Sequence, residues 1–113
     1  MIPLQFALRR RMIRQKRIPK WTLTIQNVDT YSYVTINGKT LSKGTYEVDD
    51  GTIVKFKALG IDLYGRIMVD GVTVASSSGT TESAWYDLEV HANYSAKLSK
   101  TLYYITWEIT TRP

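Results

Sequence analysis

Tyr33-Val34-Thr35-Ile36-Asn37-Gly38-Lys39 is the stretch that decides the fold class. Four β-forming residues run into Asn-Gly, and both turn residues accept positive φ, as a two-residue type I′ hairpin requires. The same pattern recurs on either side. Upstream, Trp21, Leu23 and Ile25 alternate with Thr22, Thr24 and Gln26, which predicts a strand with one apolar face, and residues 27–30 then turn the chain. Downstream, Lys43-Gly44 turns into a strand at 45–48. Asp49-Asp50-Gly51 turns into another at 52–58, where Val54, Phe56 and Ala58 share a face. Gly60 and Gly65 bracket a short Ile-Asp-Leu-Tyr segment, and strands at 66–69 and 72–75 flank Asp70-Gly71, a second two-residue hairpin. Residues 76–83 form a polar loop. Strands at 84–90 and 102–110 complete the set, with Leu88 and Val90 on one face and Tyr103, Ile105, Trp107 and Ile109 on another. No segment after residue 20 supports a helix of ten residues, so the expected body is an antiparallel all-β domain of seven to eight strands.

The charge of the chain is divided unevenly. Arg9, Arg10, Arg11, Arg14, Lys16, Arg17 and Lys20 put seven positive charges and no negative one into the first twenty residues. The rest holds the other eight of fifteen Lys and Arg against all ten Asp and Glu. The chain therefore reads as a basic arm, 1–20, and a near-neutral domain, 21–113. Within the arm, Ile2, Leu4, Phe6 and Leu8 alternate with Met1, Pro3, Gln5 and Ala7, a cleaner fit to a strand than to an amphipathic helix. A free strand with one apolar face is a hazard unless it joins a sheet edge, which favours an extended arm that pairs with a partner subunit. The basic run suits a solvated linker, an acidic protein surface, nucleic acid or an anionic membrane surface. Nucleic acid and a membrane surface are the weaker fits, the first because no aromatic is interleaved with the arginines and the second because the amphipathicity is poor. Pro19 restricts Ile18 to extended geometry and ends the arm.

Composition excludes several chemistries. The chain has 113 residues and no cysteine, which leaves room for one domain and removes disulfides, thiolate zinc sites and a cysteine nucleophile. No run of about 18 apolar residues exists to span a membrane, and the apolar stretch at 2–8 precedes the basic cluster, the reverse of a secretory signal. His91 is the single histidine, and no serine–base pairing is evident, so it reads as a surface or loop histidine. Asp49, Asp50 and Asp70 adjoin glycine turns, where local backbone bonding is the ordinary role of Asp, and no loop of alternating acidic ligands suggests calcium. No cofactor is expected, and the function is expected to be non-enzymatic. Eight tyrosines and three tryptophans stand out. Adjacent aromatics such as Trp85-Tyr86 and Tyr103-Tyr104 must point to opposite sheet faces, so Tyr33, Trp85, Tyr86 and Tyr103 are candidates for surface recognition. They are equally good strand formers, a purely structural role.

The run Val34-Thr35-Ile36-Asn37-Gly38-Lys39, with Gly44-Thr45-Tyr46-Glu47-Val48, Gly51-Thr52-Ile53-Val54-Lys55-Phe56-Lys57-Ala58 and Val69-Asp70-Gly71-Val72-Thr73-Val74, resembles bacterial and phage immunoglobulin-like modules. The likeness covers roughly residues 21–110. It implies an immunoglobulin-like β-sandwich, although the cysteine pair and tryptophan of antibody domains are not matched. With its apolar start and Arg9-Arg10-Arg11, the whole chain also resembles the small structural proteins of phages and prophages. That resemblance implies a virion component: a head decoration, connector or tail accessory protein, localised to the virion and otherwise soluble. The docking residues would be Ile2, Leu4, Phe6, Leu8, Arg9, Arg10, Arg11, Arg14 and Arg17, and the partners protein subunits of a larger, viral assembly, with a homo-oligomer as one form. Two rival functions remain open: a carbohydrate- or cell-surface-binding module using the aromatics, and a nucleic-acid binder using the arm.

Overall fold

The computed structural model describes residues 18–29, 32–59, 63–77 and 85–112. The arm's candidate docking residues, and most of the polar loop at 76–83, lie outside the described residues. Ten strands are described: β1 (Lys20–Ile25), β2 (Ser32–Ile36), β3 (Lys39–Thr40), β4 (Gly44–Asp49), β5 (Ile53–Ala58), β6 (Tyr64–Val69), β7 (Val72–Ser76), β8 (Trp85–Glu89), β9 (Asn93–Lys100) and β10 (Tyr104–Arg112). They form a six-stranded sheet, in the order β4-β1-β9-β10-β6-β7, and a four-stranded sheet, β3-β2-β5-β8. The domain is an all-β sandwich.

Both two-residue hairpins form where the sequence places them. Asn37 and Gly38 have φ of 51° and 77°, and Asp70 and Gly71 have 50° and 82°, the left-handed pairs that a type I′ turn demands. Asp70 does more than turn the chain. Its carboxylate accepts from the backbone N–H of Thr111 at 2.7 Å and from the Thr111 hydroxyl at 2.8 Å, which ties the β6–β7 turn to the end of β10. These bonds hold the Asp70 carboxyl below the usual carboxylate range.

Two expectations need correction. The strand count is ten instead of seven to eight, because β3 and β9 join the set. β3 is a two-residue ladder. β9 lies at the centre of the larger sheet, yet its apolar face consists of Tyr94, Ala96 and Leu98 set among Asn, Ser and Lys, a poor β-forming composition whose period of two is easily passed over. Pairing is also not purely antiparallel. β1 runs parallel to β9, and β6 runs parallel to β10. Side-chain alternation is the same in either direction, so the pattern carries no information on the sense of strands distant in sequence. Gly65, expected to bound a segment, instead lies inside β6 and is buried.

The parallel β1–β9 ladder pairs Leu23, Thr24 and Ile25 with Tyr94, Ser95 and Ala96. An asparagine side chain extends it at each end. The Asn93 Oδ1 accepts from the Thr22 N–H at 2.9 Å. The Asn27 amide both donates to the Leu98 carbonyl at 2.7 Å and accepts from the Leu98 N–H at 3.0 Å, imitating a strand residue.

The buried apolar side chains form one cluster, from Leu23 in β1 to Ile109 in β10. Leu23, Ile25, Ile67, Ala96, Leu98, Ile105, Trp107 and Ile109 come from the larger sheet, and Val34, Val54, Phe56, Ala58 and Leu88 from the smaller. Each full burial of this kind contributes about 1.5–3 kcal/mol gross. Trp107 is the pivot. It meets Phe56 edge to face, with ring centroids 5.3 Å apart at 70°, and its indole N–H crosses the sandwich to the Lys57 carbonyl at 3.1 Å. Two polar residues are buried with the core, Ser32 and Thr106, and among the described residues the Ser32 hydroxyl has no hydrogen-bond partner.

Candidate recognition surface

Alternation along β2, β5 and β8 sends Val34, Val54, Phe56 and Leu88 inward, so the residues between them face solvent. The register then sets the outward side chains in rows. Tyr33, Lys57 and Trp85 lie opposite one another in one row, and Thr35, Lys55 and Asp87 in the next. Tyr33 and Trp85 are 39% and 46% exposed, high values for aromatics on a paired sheet. The Lys57 ammonium sits over the Trp85 ring, 5.1 Å from its centroid, a cation–π contact. The Lys55 ammonium lies 3.8 Å from the Asp87 carboxylate, with both side chains more than half exposed, so the pair is loose and adds little stability. Thr35, Gly38, Lys55, Trp85 and Asp87 line an open groove of about 720 Å³ across this face. The core supports it from beneath through the bond from Trp107 to the Lys57 carbonyl.

Of the four aromatics singled out from the sequence, the structure brings two together. Tyr33 and Trp85 share the face. Tyr86 points the other way, half-buried against the core, and that burial raises its phenol above the usual range, with a smaller contribution from Tyr94. Tyr103 is 65% exposed, but it lies in the turn before β10, a strand of the other sheet. It neighbours a separate group in which Tyr64 and Tyr104 pack at 5.5 Å and the Arg66 guanidinium lies 4.5 Å from the Tyr104 ring centroid. Sequence reasoning missed Lys55, Lys57, Asp87 and Thr35 as members of the site. Their outward positions are legible from alternation, but their alignment is a matter of register between strands.

His91, in the turn after β8, is held between two carboxylates. Its Nδ1 lies 2.9 Å from Asp50 Oδ1 and its Nε2 lies 3.1 Å from Glu89 Oε1. Asp50 Oδ1 also accepts from the Trp21 indole N–H at 2.8 Å. The bond to Asp50, and then that to Glu89, raise the His91 pKa, while Trp21 and then His91 lower that of Asp50. Both imidazole nitrogens are engaged, so the ring serves as a clasp joining β1, the β4–β5 turn and β8. Among the described residues no group of three or more His, Asp or Glu side chains is placed to hold a metal ion, and no helix is long and apolar enough to cross a membrane.

No family model matches this chain, and no curated protein or solved structure matches it.

Proposed function

We propose that the chain is a non-enzymatic structural or assembly module, docked through residues 1–20 onto protein subunits while the β-sandwich faces outward. The observation that carries this reading is the pairing of two unlike parts. A domain whose buried apolar cluster closes between Leu23 and Ile109 adjoins a segment with six cations and no anion before β1 opens at Lys20. In that mechanism Ile2, Leu4, Phe6 and Leu8 add a strand to a partner's sheet edge and bury their side chains. Four such burials contribute on the order of 6–12 kcal/mol gross, before the cost of ordering the segment. Arg9, Arg10, Arg11, Arg14 and Arg17 supply charge-assisted hydrogen bonds to carboxylates and carbonyls. A phage virion is the setting that the sequence resemblance favours, with the chain as a decoration, connector or tail accessory protein.

The test is size-exclusion chromatography with light scattering on the full chain and on residues 20–113. A defined oligomer for the full chain and a folded monomer for the shorter one support docking of the arm onto further copies. Monomers in both cases overturn self-assembly through the arm and leave a foreign protein as its partner. A full chain in which Arg9, Arg10, Arg11, Arg14 and Arg17 are replaced by Gln separates the two contributions, since it keeps the alternating apolar residues and removes the charges.

A further inference from the structure

We infer that the groove beside Trp85 is a binding site for a neutral sugar ring, a function independent of the arm. The groove measures about 720 Å³, within the roughly 300–1,000 Å³ range of small-ligand sites. Its wall is an exposed indole, and its floor is polar: the Thr35 hydroxyl, the Lys55 ammonium and the Asp87 carboxylate. That combination matches a pyranose. The apolar C–H face of the ring stacks on an aromatic surface, while vicinal hydroxyls donate to a carboxylate and accept from an ammonium or hydroxyl. Lys57, opposite Trp85 on the adjacent strand, covers part of the indole but does not line the groove, so the part of Trp85 that does is free for contact. At Gly38 no heavy atom lies within 4 Å of where a Cβ would stand, so nothing crowds the groove on that side.

Charge decides between a sugar and a macro-ion. Lys55 and Asp87 stand 3.8 Å apart and nearly cancel, so the groove lining is close to neutral and the Lys57 ammonium over the indole is the charge beside it, too little to select a macro-ion. Their separation also leaves donors on one group and acceptors on the other unused, the complement that a neutral polyol fulfils. A site this open to solvent predicts weak affinity, with Kd on the order of 1 mM per ring.

The experiment is amide and indole NMR on the full-length protein, titrated with maltotriose, cellotriose, N,N′,N″-triacetylchitotriose and galactobiose. The three tryptophans report separately: the Trp107 N–H bonds the Lys57 carbonyl, the Trp21 N–H bonds Asp50, and Trp85 alone lines the groove. The expected result is saturable movement of the Trp85 indole signal and of the Thr35, Gly38, Lys55 and Asp87 amides with at least one sugar. Trp85→Ala and Asp87→Asn should each weaken binding about tenfold or more, and Tyr103→Ala should leave it unchanged. Asp87→Asn, an exposed and nearly isosteric change, keeps the test valid if Trp85→Ala perturbs β8. No saturable shift with any of the four sugars overturns the inference. So does a response centred on Tyr103, or one produced by inorganic phosphate and by none of the sugars.

Discussion

The first twenty residues and the ninety-three that follow obey different rules. In the body, apolar side chains alternate with polar ones, every strand has a neighbour, and the charges nearly balance. In the arm, six cations precede β1 without a single anion beside the alternating Ile2, Leu4, Phe6 and Leu8, whereas the seventh, Lys20, opens β1 and pairs with Asp49 at 2.6 Å. Residues selected for packing pair their charges and bury their apolar groups. A sequence that sets excess charge beside an alternating apolar run is suited to meeting another molecule. On the proposed reading, folding and docking are encoded in separate segments, and either can be altered without the other.

The sharpest way to break this division is to attack the body at its pivot. Trp107→Ala removes the edge-to-face contact with Phe56 and the bond to the Lys57 carbonyl together. It should cost about 3–5 kcal/mol, read as a fall in the denaturant midpoint, with no rescue from the arm. Asn27→Ala comes next. It removes both bonds to Leu98 at the end of the parallel ladder and should cost about 1–3 kcal/mol in the same measurement. Trp85→Ala lies on the outer face and should change stability by less than about 1 kcal/mol, because it loses only the contact with Lys57 and some exposed area.

The pH dependence of the body should be shallow and two-sided, since the groups responsible are exposed. Asp50 and Asp70 have lowered pKa values, so their contribution is complete above the ordinary carboxylate value of about 3.9 and fades as pH falls through the folded-state values. His91 has a raised pKa, so its contribution is complete below about 6.5 and fades as pH rises through its folded-state value. The melting temperature should therefore plateau between about pH 4 and pH 6.5. His91→Asn should flatten the limb above the plateau and leave the Asp70 part of the acid limb in place.

Much of this fold is legible in the sequence, for identifiable reasons. Asn37-Gly38 and Asp70-Gly71 announce their hairpins because few residue pairs tolerate consecutive positive φ. Val54, Phe56 and Ala58 announce an inner face because alternation has one meaning in a half-buried strand. β9 escapes notice because Ala96 and Leu98 alone carry its fully buried face, and its place is set by Asn27, Asn93 and its neighbours more than by its own residues. The two parallel pairings are hidden because alternation does not record strand direction. The recognition face is half legible. That Trp85 and Tyr86 face opposite sides follows from adjacency, but which of them turns inward does not, and the alignment of Tyr33, Lys57 and Trp85 depends on two strand registers. The clasp around His91 joins residues 41 apart in the chain and leaves no local signal.

The most direct test of the separation is thermal unfolding of residues 20–113 beside the full chain, at low protein concentration, followed by circular dichroism. The account predicts one cooperative transition in both, with melting temperatures that agree to within a few degrees, on the order of the shift that 1 kcal/mol produces in a domain of this size. Loss of the transition, or a much larger fall, would show that residues 1–19 belong to the fold and contradict their assignment as a docking segment.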